Sequence, residues 1–324
     1  MQVFISGGAG FIGSHMAQAL EPLDSVTDII IYDNFTSGNI KYLKNISNSK
    51  KLKIINGDIK DFDLLSNSIK DSDLVIHFAA NPDIAKAMTS PDIDFWEGTY
   101  LTQNILEAMR INKVQKILYT SGSGVYGEVE GEAFKESFGP CIPISTYGAS
   151  KLACEALISS YSHMFGIKGR AFRFANVVGP NQTHGVGFDF VRKLKNDPSQ
   201  LSILGDGSQC KSYIYIDDVI NAILYVFKEM NSEKSKDFDI YNVATDDYIT
   251  VTEIADIACN VSNLNPQSVI YKYTGGERGW KGDVPKVLFN VNKIKALGWS
   301  TKKTAREAIK ASIESMKIEI YEAK

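Results

Sequence analysis

The chain has 324 residues, with 44% hydrophobic and 23% charged side chains and a formal net charge of −3 at pH 7. This length predicts about two globular domains, and the composition is typical of a folded globular protein rather than a disordered or fibrous one. The weak negative charge argues against a protein that binds a nucleic-acid backbone in bulk.

Short apolar runs alternate with helical patterns along the first part of the chain. The runs expected to form strands are 2–6, 28–32, 52–56, 73–78, 115–120 and 169–174, and the segments expected to form helices are 11–20, 61–69, 91–110 and 147–165. Continuous apolar runs are typical of strands that are covered on both faces. Because strand and helix alternate, the sequence predicts an α/β fold with a doubly wound, Rossmann-type parallel sheet.

Beyond residue 174 the alternation is less regular. Helices are expected at 188–195, 217–227 and 252–261 and twice more near the C-terminus, and strands at 212–216, 239–243 and 269–273. We interpret these pieces as a smaller, discontinuous α/β domain that binds the substrate. The expected division is 1–174 plus about 212–245, which returns to the first sheet, and about 175–211 plus 246–324.

Cysteines and histidines give no sign of a disulfide framework or a metal site. The four cysteines form no C-x-x-C pair, and the four histidines form no H-x-x-H pattern. We therefore predict reduced cysteines and no bound metal. The first residues, MQVFIS, already read as a strand, and no apolar run approaches the roughly 18 residues of a membrane span. We expect a cytoplasmic protein that does not insert into a membrane.

A glycine-rich loop follows the first predicted strand. Residues 6–14 read SGGAGFIGS, in which two glycine spacings overlap, G-x-G-x-x-G and G-x-x-G-x-x-G. The loop lies between a strand and a helix, which is the context that such a motif needs. Glycines there allow a tight turn and let backbone N–H groups approach a pyrophosphate, which the helix N-terminus also attracts. The sequence therefore predicts a dinucleotide site.

The ends of the second and third strands carry acidic residues. Asp33 ends the second strand, where a carboxylate can accept both hydroxyls of the adenosine ribose and would repel a 2′-phosphate. No Arg or Lys follows before Lys41, so we predict NAD rather than NADP. Asp58, after the third strand, is placed to meet the adenine amine, although an ordinary turn aspartate fits the sequence equally well.

Further short motifs follow in a fixed order along the chain. They are GGAGFIGS at 7–14, YDN at 32–34, GDI at 57–59, HFAAN at 77–81, SGVYG within SGSGVYG at 121–127, PISTYGASK at 143–151, ANVVGP at 175–180, GDGSQ at 205–209 and GERGWKGDV at 276–284. Each is unspecific alone. In this order the set resembles the extended short-chain dehydrogenase/reductase family, and within it the nucleotide-sugar epimerases typified by UDP-galactose (UDP-glucose) 4-epimerase.

The resemblance implies a cofactor site and a catalytic pair. Tyr147 would be the catalytic acid and base, and Lys151 would be its partner and hold the nicotinamide ribose. The cofactor-binding residues implied by these motifs are Gly7, Gly10, Phe11, Ile12, Gly13, Asp33, Asn34, Ser37, Gly38, Asp58, Ile59, Phe78, Ala79, Ala80, Tyr147 and Lys151.

Physical reasoning also supports the pairing of Tyr147 with Lys151. An ordinary tyrosine, with a pKa of about 10, is too rarely ionised to act as a base at neutral pH. Lys151 lies one helical turn further on the same face, where its positive charge would stabilise the phenolate form. An isolated Y-x-x-x-K match is more often an ordinary surface pair, but an NAD site in the same chain favours the catalytic interpretation.

The chain departs from the family beside the V-Y-G segment. Relatives usually carry Ser or Thr where this chain has Gly122, so the hydroxyl that bridges the sugar O4 and Tyr147 would come from Ser123, or from Ser121 as the reserve candidate. Related dehydratases and decarboxylases carry carboxylates in this segment, whereas here it reads Gly-Ser-Gly. The resemblance therefore implies 4-epimerisation of a UDP-hexose, UDP-glucose to UDP-galactose, through a transient 4-keto sugar.

The resemblance also implies which residues hold the nucleotide sugar. They are Ser123, Tyr147, Asn176, Phe188, Lys211, Arg278, Asp283 and Val287. Relatives often have Arg at the position of Lys211, and Lys would meet a phosphate as a point charge without the bidentate fork. Val287 is far smaller than the aromatic residue that excludes an N-acetyl group in some relatives, which predicts activity on UDP-N-acetylglucosamine as well.

Two alternatives remain open on the sequence. One is a uronic acid 4-epimerase, or a dehydrogenase or reductase that releases a keto sugar. The other is a non-catalytic NAD-binding sensor, because a fold does not determine function. The resemblance further implies a homodimer in which the helices at 91–110 and 147–165 form a four-helix bundle; the apolar Leu152, Ala156 and Leu157 fit this and equally fit burial against the sheet.

Overall fold

The structure is a computed structural model that describes residues 1–128, 133–230, 232, 235–279, 281–282 and 284–322. The strands are β1 Gln2–Ser6, β2 Asp28–Asp33, β3 Leu52–Asn56, β4 Leu74–His77, β5 Lys116–Gly122, β6 Lys168–Phe174, β7 Asn176–Val178, β8 Gln200–Ile203, β9 Cys210–Lys211, β10 Tyr213–Tyr215, β11 Phe238–Val243, β12 Ile249–Thr250, β13 Ile270–Tyr273 and β14 Lys286–Val287. The α-helices are α1 Phe11–Leu20, α2 Phe62–Ile69, α3 Tyr100–Ile111, α4 Thr146–Phe165, α5 Val186–Asn196, α6 Ile216–Glu229, α7 Val251–Val261, α8 Asn292–Lys295 and α9 Ala305–Glu322.

Seven strands form one sheet in the order β11-β6-β5-β4-β1-β2-β3. The pairs β4–β5, β1–β4, β1–β2 and β2–β3 are parallel. The chain winds outward from β1 to β3, then returns to β4 beside β1 and winds the other way. In a doubly wound sheet, ligands bind beyond the carboxyl ends of the strands at this reversal. The predicted Rossmann-type α/β fold is therefore confirmed.

The chain divides into two compact units. The first consists of Met1–Gly127, Pro140–Arg173 and Ile220–Tyr241. Its core lies between the sheet and helices α2, α3 and α4, and it contains fully buried residues such as Phe4, Ile105 and Ile158. Strands β1, β2 and β4 are buried almost throughout, which explains why they read as continuous apolar runs rather than as alternating ones.

The second unit consists of Glu128–Gly139, Phe174–Val219 and Asn242–Lys324. Its strands form three small sheets, with the orders β10-β7, β12-β9-β14 and β13-β8. Helices α5, α7 and α9 pack against one another around a separate core that includes Phe190, Ile254 and Ile309. No helix in the described ranges is long and apolar enough to cross a membrane.

Three sequence-based expectations differ from the structure. The segment at 212–216 does not return to the first sheet; β10 pairs with β7 in the second unit, and only β11 joins the first sheet. The described residues Glu128 and 133–139 belong to the second unit, where Phe134 forms a β-bridge with Phe289. The helix expected at 91–110 begins with a π-helical turn, Phe95–Thr99, before α3. The first two features depend on pairing between distant segments, which the periodicity of the sequence does not report.

Candidate active site

The glycine loop between β1 and α1 is closed tightly on itself. Gly7 has φ +67°, and a Cβ placed on it would lie 2.7 Å from the backbone nitrogen of Ala79. A Cβ on Gly13 would lie 2.3 Å from the carbonyl oxygen of Gly7. The Gly10 N–H donates to the Gly7 carbonyl at 3.1 Å, and Gly10 caps α1 without a side chain. The loop and the first turn of α1 therefore present bare backbone, as a pyrophosphate requires.

Asp33 is fixed at the end of β2 by the backbone. Its two carboxylate oxygens accept the Ala9 N–H at 2.9 Å and the Phe35 N–H at 2.8 Å. Burial raises the pKa of Asp33 above the ordinary value, although these two hydrogen bonds oppose the shift. A Cβ on Gly38 would lie 2.8 Å from a carboxylate oxygen. Each oxygen keeps a lone pair for a ribose hydroxyl, and the carboxylate would repel a 2′-phosphate.

The end of β3 lies beside this carboxylate. The Asn34 side-chain amide donates to the Asp58 carboxylate at 3.1 Å, the Tyr32 hydroxyl donates to the Asp58 carbonyl at 2.9 Å, and the Asn104 amide donates to the Ile59 carbonyl at 3.1 Å. The structure therefore brings the predicted residues of β2 and β3 together. The remaining predicted cofactor residues lie at the start of α1, after β2 and after β4, and are partly exposed or exposed, namely Phe11, Ile12, Ser37, Phe78, Ala79 and Ala80.

Asp33→Ala is expected to weaken NAD binding by about tenfold to a hundredfold, because a charged acceptor is worth roughly 1.5–3 kcal/mol per hydrogen bond. Binding of the nucleotide sugar should change less, since Asp33 is predicted to contact only the adenosine ribose. The measurement is calorimetric titration of the apoprotein with NAD and with NADP. Asp28→Ala, at the partly exposed start of the same strand, where Asp28 pairs with Lys53, is the matched control. Unchanged NAD affinity in Asp33→Ala would contradict the assignment.

Tyr147 and Lys151 stand on the first turns of α4. Ser145 caps this helix by accepting the Gly148 N–H at 3.1 Å. The Lys151 ammonium is buried, donates to the Thr120 carbonyl at 2.7 Å, and lies 5.5 Å from the centre of the Tyr147 ring. Tyr147 itself is partly exposed. A buried ammonium thus lies beside the ring of a partly exposed tyrosine, an arrangement that can serve a general base.

The turn after β5 packs directly against the helix turn that carries Tyr147. A Cβ on Gly148 would lie 2.3 Å from the Gly124 carbonyl oxygen, and a Cβ on Gly124 would lie 3.3 Å from the Gly148 Cα and 3.9 Å from the Tyr147 ring. By contrast, a Cβ on Gly122 meets no described atom within 4 Å. The backbone thus approaches α4 closely at position 124 and leaves room for a side chain at position 122.

The two candidate serines differ in their surroundings. The Ser121 side chain is buried and its hydroxyl donates to the Glu155 carboxylate at 2.6 Å. Ser123 is partly exposed in the turn that abuts α4. Of the two, Ser123 is therefore the better placed to meet a substrate.

His77, the last residue of β4, is fully buried. Its Nδ1 pairs with the Ser6 hydroxyl at 2.7 Å and its Nε2 with the Thr102 hydroxyl at 3.1 Å. Thr102 also lies 3.0 Å from the Gly98 carbonyl, to which it can donate its proton, so Nε2 is assigned as the protonated nitrogen. Burial, helped by the Lys151 charge, lowers the pKa of His77 to about 3. The ring is therefore neutral at every physiological pH.

The predicted nucleotide-sugar residues of the second unit fall in several elements. Val287 in β14 is the register partner of Lys211 in β9. Asn176 in β7 donates to the Ser212 carbonyl at 3.3 Å, and Arg278 forms an ion pair with Glu128. Phe188 lies partly exposed on α5. Asp283 lies outside the described residues.

Sequence reasoning missed a buried ion pair in the first unit. Glu155 on α4 and Arg173 on β6 are each about 3% exposed and form an ion pair. The signal was present in the run GRAFRF, where two arginines, Arg170 and Arg173, interrupt a strand that is otherwise apolar. A charged side chain that a sheet buries needs polar partners: Arg173 binds Glu155, whereas Arg170 binds backbone carbonyls and the Ser235 hydroxyl.

The fold and the groups around the glycine loop define the class of the protein, an NAD-dependent enzyme of the Rossmann type. A sequence model described as the NAD dependent epimerase/dehydratase family matches residues 3–244, and the chain belongs to this family. The extended short-chain dehydrogenase/reductase resemblance and the choice of NAD are thereby confirmed.

Individual relatives cover nearly the whole chain. A protein of Methanocaldococcus jannaschii whose provisional name is UDP-glucose 4-epimerase is 32% identical over 97% of this chain and 98% of its own length. The crystal structure of a UDP-galactose 4-epimerase is similar with a TM-score of 0.87 and 34% identity, over 99% of this chain and all of that one. The UDP-glucuronic acid 4-epimerase of Bacillus cereus, solved with UDP-glucuronic acid and NAD, is similar with a TM-score of 0.86 and 26% identity, over 98% of this chain and 99% of that one.

Proposed function

We propose that the protein is a 4-epimerase that interconverts UDP-glucose and UDP-galactose through a transient 4-keto sugar. The observation that carries this proposal is the turn at 122–124. Its sequence, Gly-Ser-Gly, contains no carboxylate, and a side chain on Gly124 would meet the first turn of α4. Elimination of water or release of CO₂ needs a further acid or base beside the reacting sugar. With Tyr147 alone, the available chemistry is reversible oxidation at C4.

The residues of the first unit have definite roles in such a reaction. Tyr147, as phenolate, accepts the proton of the sugar O4, while the Lys151 ammonium stabilises the negative charge before transfer. NAD held at the glycine loop and Asp33 would supply the acceptor for the C4 hydride and the source of the hydride that reduces the keto sugar again. Tyr147 then gives the proton back to O4, so that no proton or electron is gained or lost overall. Ser123 is proposed to bridge O4 and the phenol.

The second unit is proposed to hold the nucleotide. Arg278 and Lys211 supply positive charge for the diphosphate. The Arg278 guanidinium can bind a phosphate through two N–H groups at once, whereas the Lys211 ammonium acts as a single point charge. Asn176, Phe188 and Asp283 are assigned to the nucleotide sugar through the family motifs alone.

The decisive experiment is proton NMR of the anomeric region while the NAD-loaded protein is incubated with UDP-glucose, UDP-galactose, UDP-N-acetylglucosamine or UDP-glucuronic acid. Equilibration of the first pair without net formation of NADH supports the proposal. Turnover of UDP-glucuronic acid alone would replace it with a uronic acid 4-epimerase. Stoichiometric NADH formation would indicate a dehydrogenase, and bound NAD without turnover would indicate a sensor.

Substrate breadth is proposed to depend on Val287. This residue is 7% exposed in β14, beside Lys211, and it occupies the position proposed to line the sugar pocket near C2. Wild type is expected to turn over UDP-N-acetylglucosamine, and Val287→Tyr is expected to lower that kcat/KM by about a hundredfold, because a bulky ring would occupy the space of the acetamido group. UDP-glucose turnover should fall by less than about tenfold.

Val291→Tyr, a substitution at another buried valine of the second unit, controls for general overpacking. If wild type shows no turnover of the acetylated sugar, or if Val287→Tyr retains it fully, Val287 does not select the substrate. Equal losses on both sugars in the two variants would mean that the ring acts only by disturbing the core.

We also propose a homodimer formed through α3 and α4. Apolar side chains near the C-terminal ends of these helices are exposed in the single chain, namely Ile111 at 50%, Met164 at 68% and Phe165 at 46%. Exposed apolar patches of this kind are common at interfaces. Light scattering after size exclusion tests the proposal with Met164→Glu, which should give a monomer if this face is the interface.

A further inference from the structure

A buried ion pair joins α4 to β6 inside the first unit. The Arg173 guanidinium donates through Nε to one Glu155 oxygen at 2.9 Å and through a terminal nitrogen to the other at 2.6 Å. Burial would lower the pKa of Arg173, but the bonds to Glu155 outweigh it and raise the pKa above the ordinary value. The pair is therefore charged and bidentate, which is the most directional form that an ion pair can take.

This pair also contacts the segments that flank the candidate catalytic turn. Glu155 accepts the hydroxyl of Ser121, the residue before Gly122, at 2.6 Å. The Arg173 guanidinium lies 4.6 Å from the centre of the Tyr126 ring, which ends the 3₁₀ turn Ser123–Tyr126. Glu155 itself lies one helical turn beyond Lys151 and two beyond Tyr147 on α4. One charged pair thus holds both ends of the 121–126 segment against the helix that carries the Tyr–Lys pair.

Stability alone does not account for such a pair. Removing two charges from water costs several kcal/mol per ion, so apolar replacements of a buried pair are often as stable or more stable. What the pair provides is a defined orientation of α4 relative to β6, because a planar guanidinium binds a carboxylate bidentately in a restricted geometry. Two hydrogen bonds join α4 to β5: the Ser121 hydroxyl donates to Glu155, and Lys151 donates to the Thr120 carbonyl. Together they fix the position of α4 along β5.

We propose that Glu155 and Arg173 are positioning residues for the reaction: they set the distance between the 121–126 segment and Tyr147 without touching substrate or cofactor. Ser121 belongs to this pair as the contact that transmits the constraint to Gly122 and Ser123. This inference rests on the proposed epimerase function. A displacement of about 1 Å in a catalytic group can cost about a hundredfold in rate, so loss of the pair should lower kcat rather than substrate binding.

The test replaces both charges at once, as Glu155→Met with Arg173→Met, in the NAD-loaded protein assayed with UDP-galactose. The expected result is a kcat lower by about 10- to 100-fold, with KM and NAD affinity within about threefold and Tm not lowered. The pH profile of kcat should keep its shape, because neither residue exchanges a proton.

The matched control is Arg170→Met. Arg170 is equally buried on the same strand, but it binds the Ser235 hydroxyl and the Gly169 and Lys236 carbonyls instead. It should lower Tm and leave kcat unchanged.

A double variant that keeps wild-type kcat would overturn the proposal, and so would a loss of kcat that is accompanied by a lower Tm and is equally large in Arg170→Met. If the double variant does not fold, Ser121→Ala decides: it keeps the ion pair and should lower kcat by about three- to tenfold at unchanged Tm. An unchanged kcat would overturn the positioning role. A loss of a hundredfold or more with an altered pH profile would instead make Ser121 the catalytic hydroxyl. A wild type that is inactive on every nucleotide sugar would reject the proposed function itself.

Discussion

Tyr147→Phe is expected to lower kcat by about 10²–10⁴-fold while NAD remains bound, because the variant keeps the ring and loses only the group that accepts the O4 proton. The glycine loop and Asp33, which are proposed to hold the pyrophosphate and the adenosine ribose, do not bond this hydroxyl. Steady-state turnover of UDP-galactose and fluorescence of bound nicotinamide measure the two quantities separately. Because Lys151 is anchored by the Thr120 carbonyl, the lysine should stay in place when the phenol is removed.

Tyr161→Phe is the matched control, since Tyr161 is on the same helix and its hydroxyl bonds Gln103 and Glu107 instead. This control should keep kcat within about twofold. Activity of Tyr147→Phe within threefold of wild type would mean that another group moves the proton.

Acid should destabilise the first unit through His77. The folded protein holds this ring neutral with a pKa of about 3, whereas an unfolded histidine has a pKa of about 6.5. Above pH 6.5 neither the folded nor the unfolded state binds the proton, so His77 does not make the free energy of unfolding depend on pH. Below it the unfolded state takes up a proton that the folded state refuses, so the free energy of unfolding falls by about 1.4 kcal/mol per pH unit, to a total of about 5 kcal/mol near pH 3.

Urea titrations at pH 7.5 and pH 5.0 test this expectation. Wild type should lose about 2 kcal/mol more between these two pH values than His77→Asn, which removes the titrating group and keeps hydrogen-bonding capacity. His163→Asn changes an exposed histidine on α4 and should retain the wild-type pH dependence. Equal pH dependence in wild type and His77→Asn would show that the buried ring is not responsible.

Features encoded by neighbouring residues were predictable from the sequence. The glycine loop, Asp33 at the end of β2 and the Tyr147–Lys151 spacing each occupy one strand end or one helix turn, and the structure places them where the pattern indicated. The Rossmann-type sheet follows from the same local logic, because the apolar runs of β1, β2 and β4 are strands buried on both faces. These are cases in which local chemistry and the fold agree.

Features that depend on distant partners were not predictable in the same way. The run at 212–216 reads as a strand, but the sequence does not say that it pairs with β7 rather than with the first sheet. Arg173 and Glu155 are separated along the chain and meet only because β6 and α4 pack together. The π-helical turn at Phe95–Thr99 replaces the first part of a regular helix, where Ser150 lies against the position of a Cβ on Gly98.

The discontinuity of the first unit has a consequence for how the chain is made. β11, the outermost strand beside β6, is supplied from residues 238–243, long after β6 ends at Phe174. On a ribosome that adds about 5–20 residues per second, β6 therefore remains an open edge for several seconds, with unpaired backbone groups that could recruit another chain. We expect nascent chains stopped between residues 174 and 237 to depend on chaperones, and chains extended beyond residue 243 to be released from that dependence.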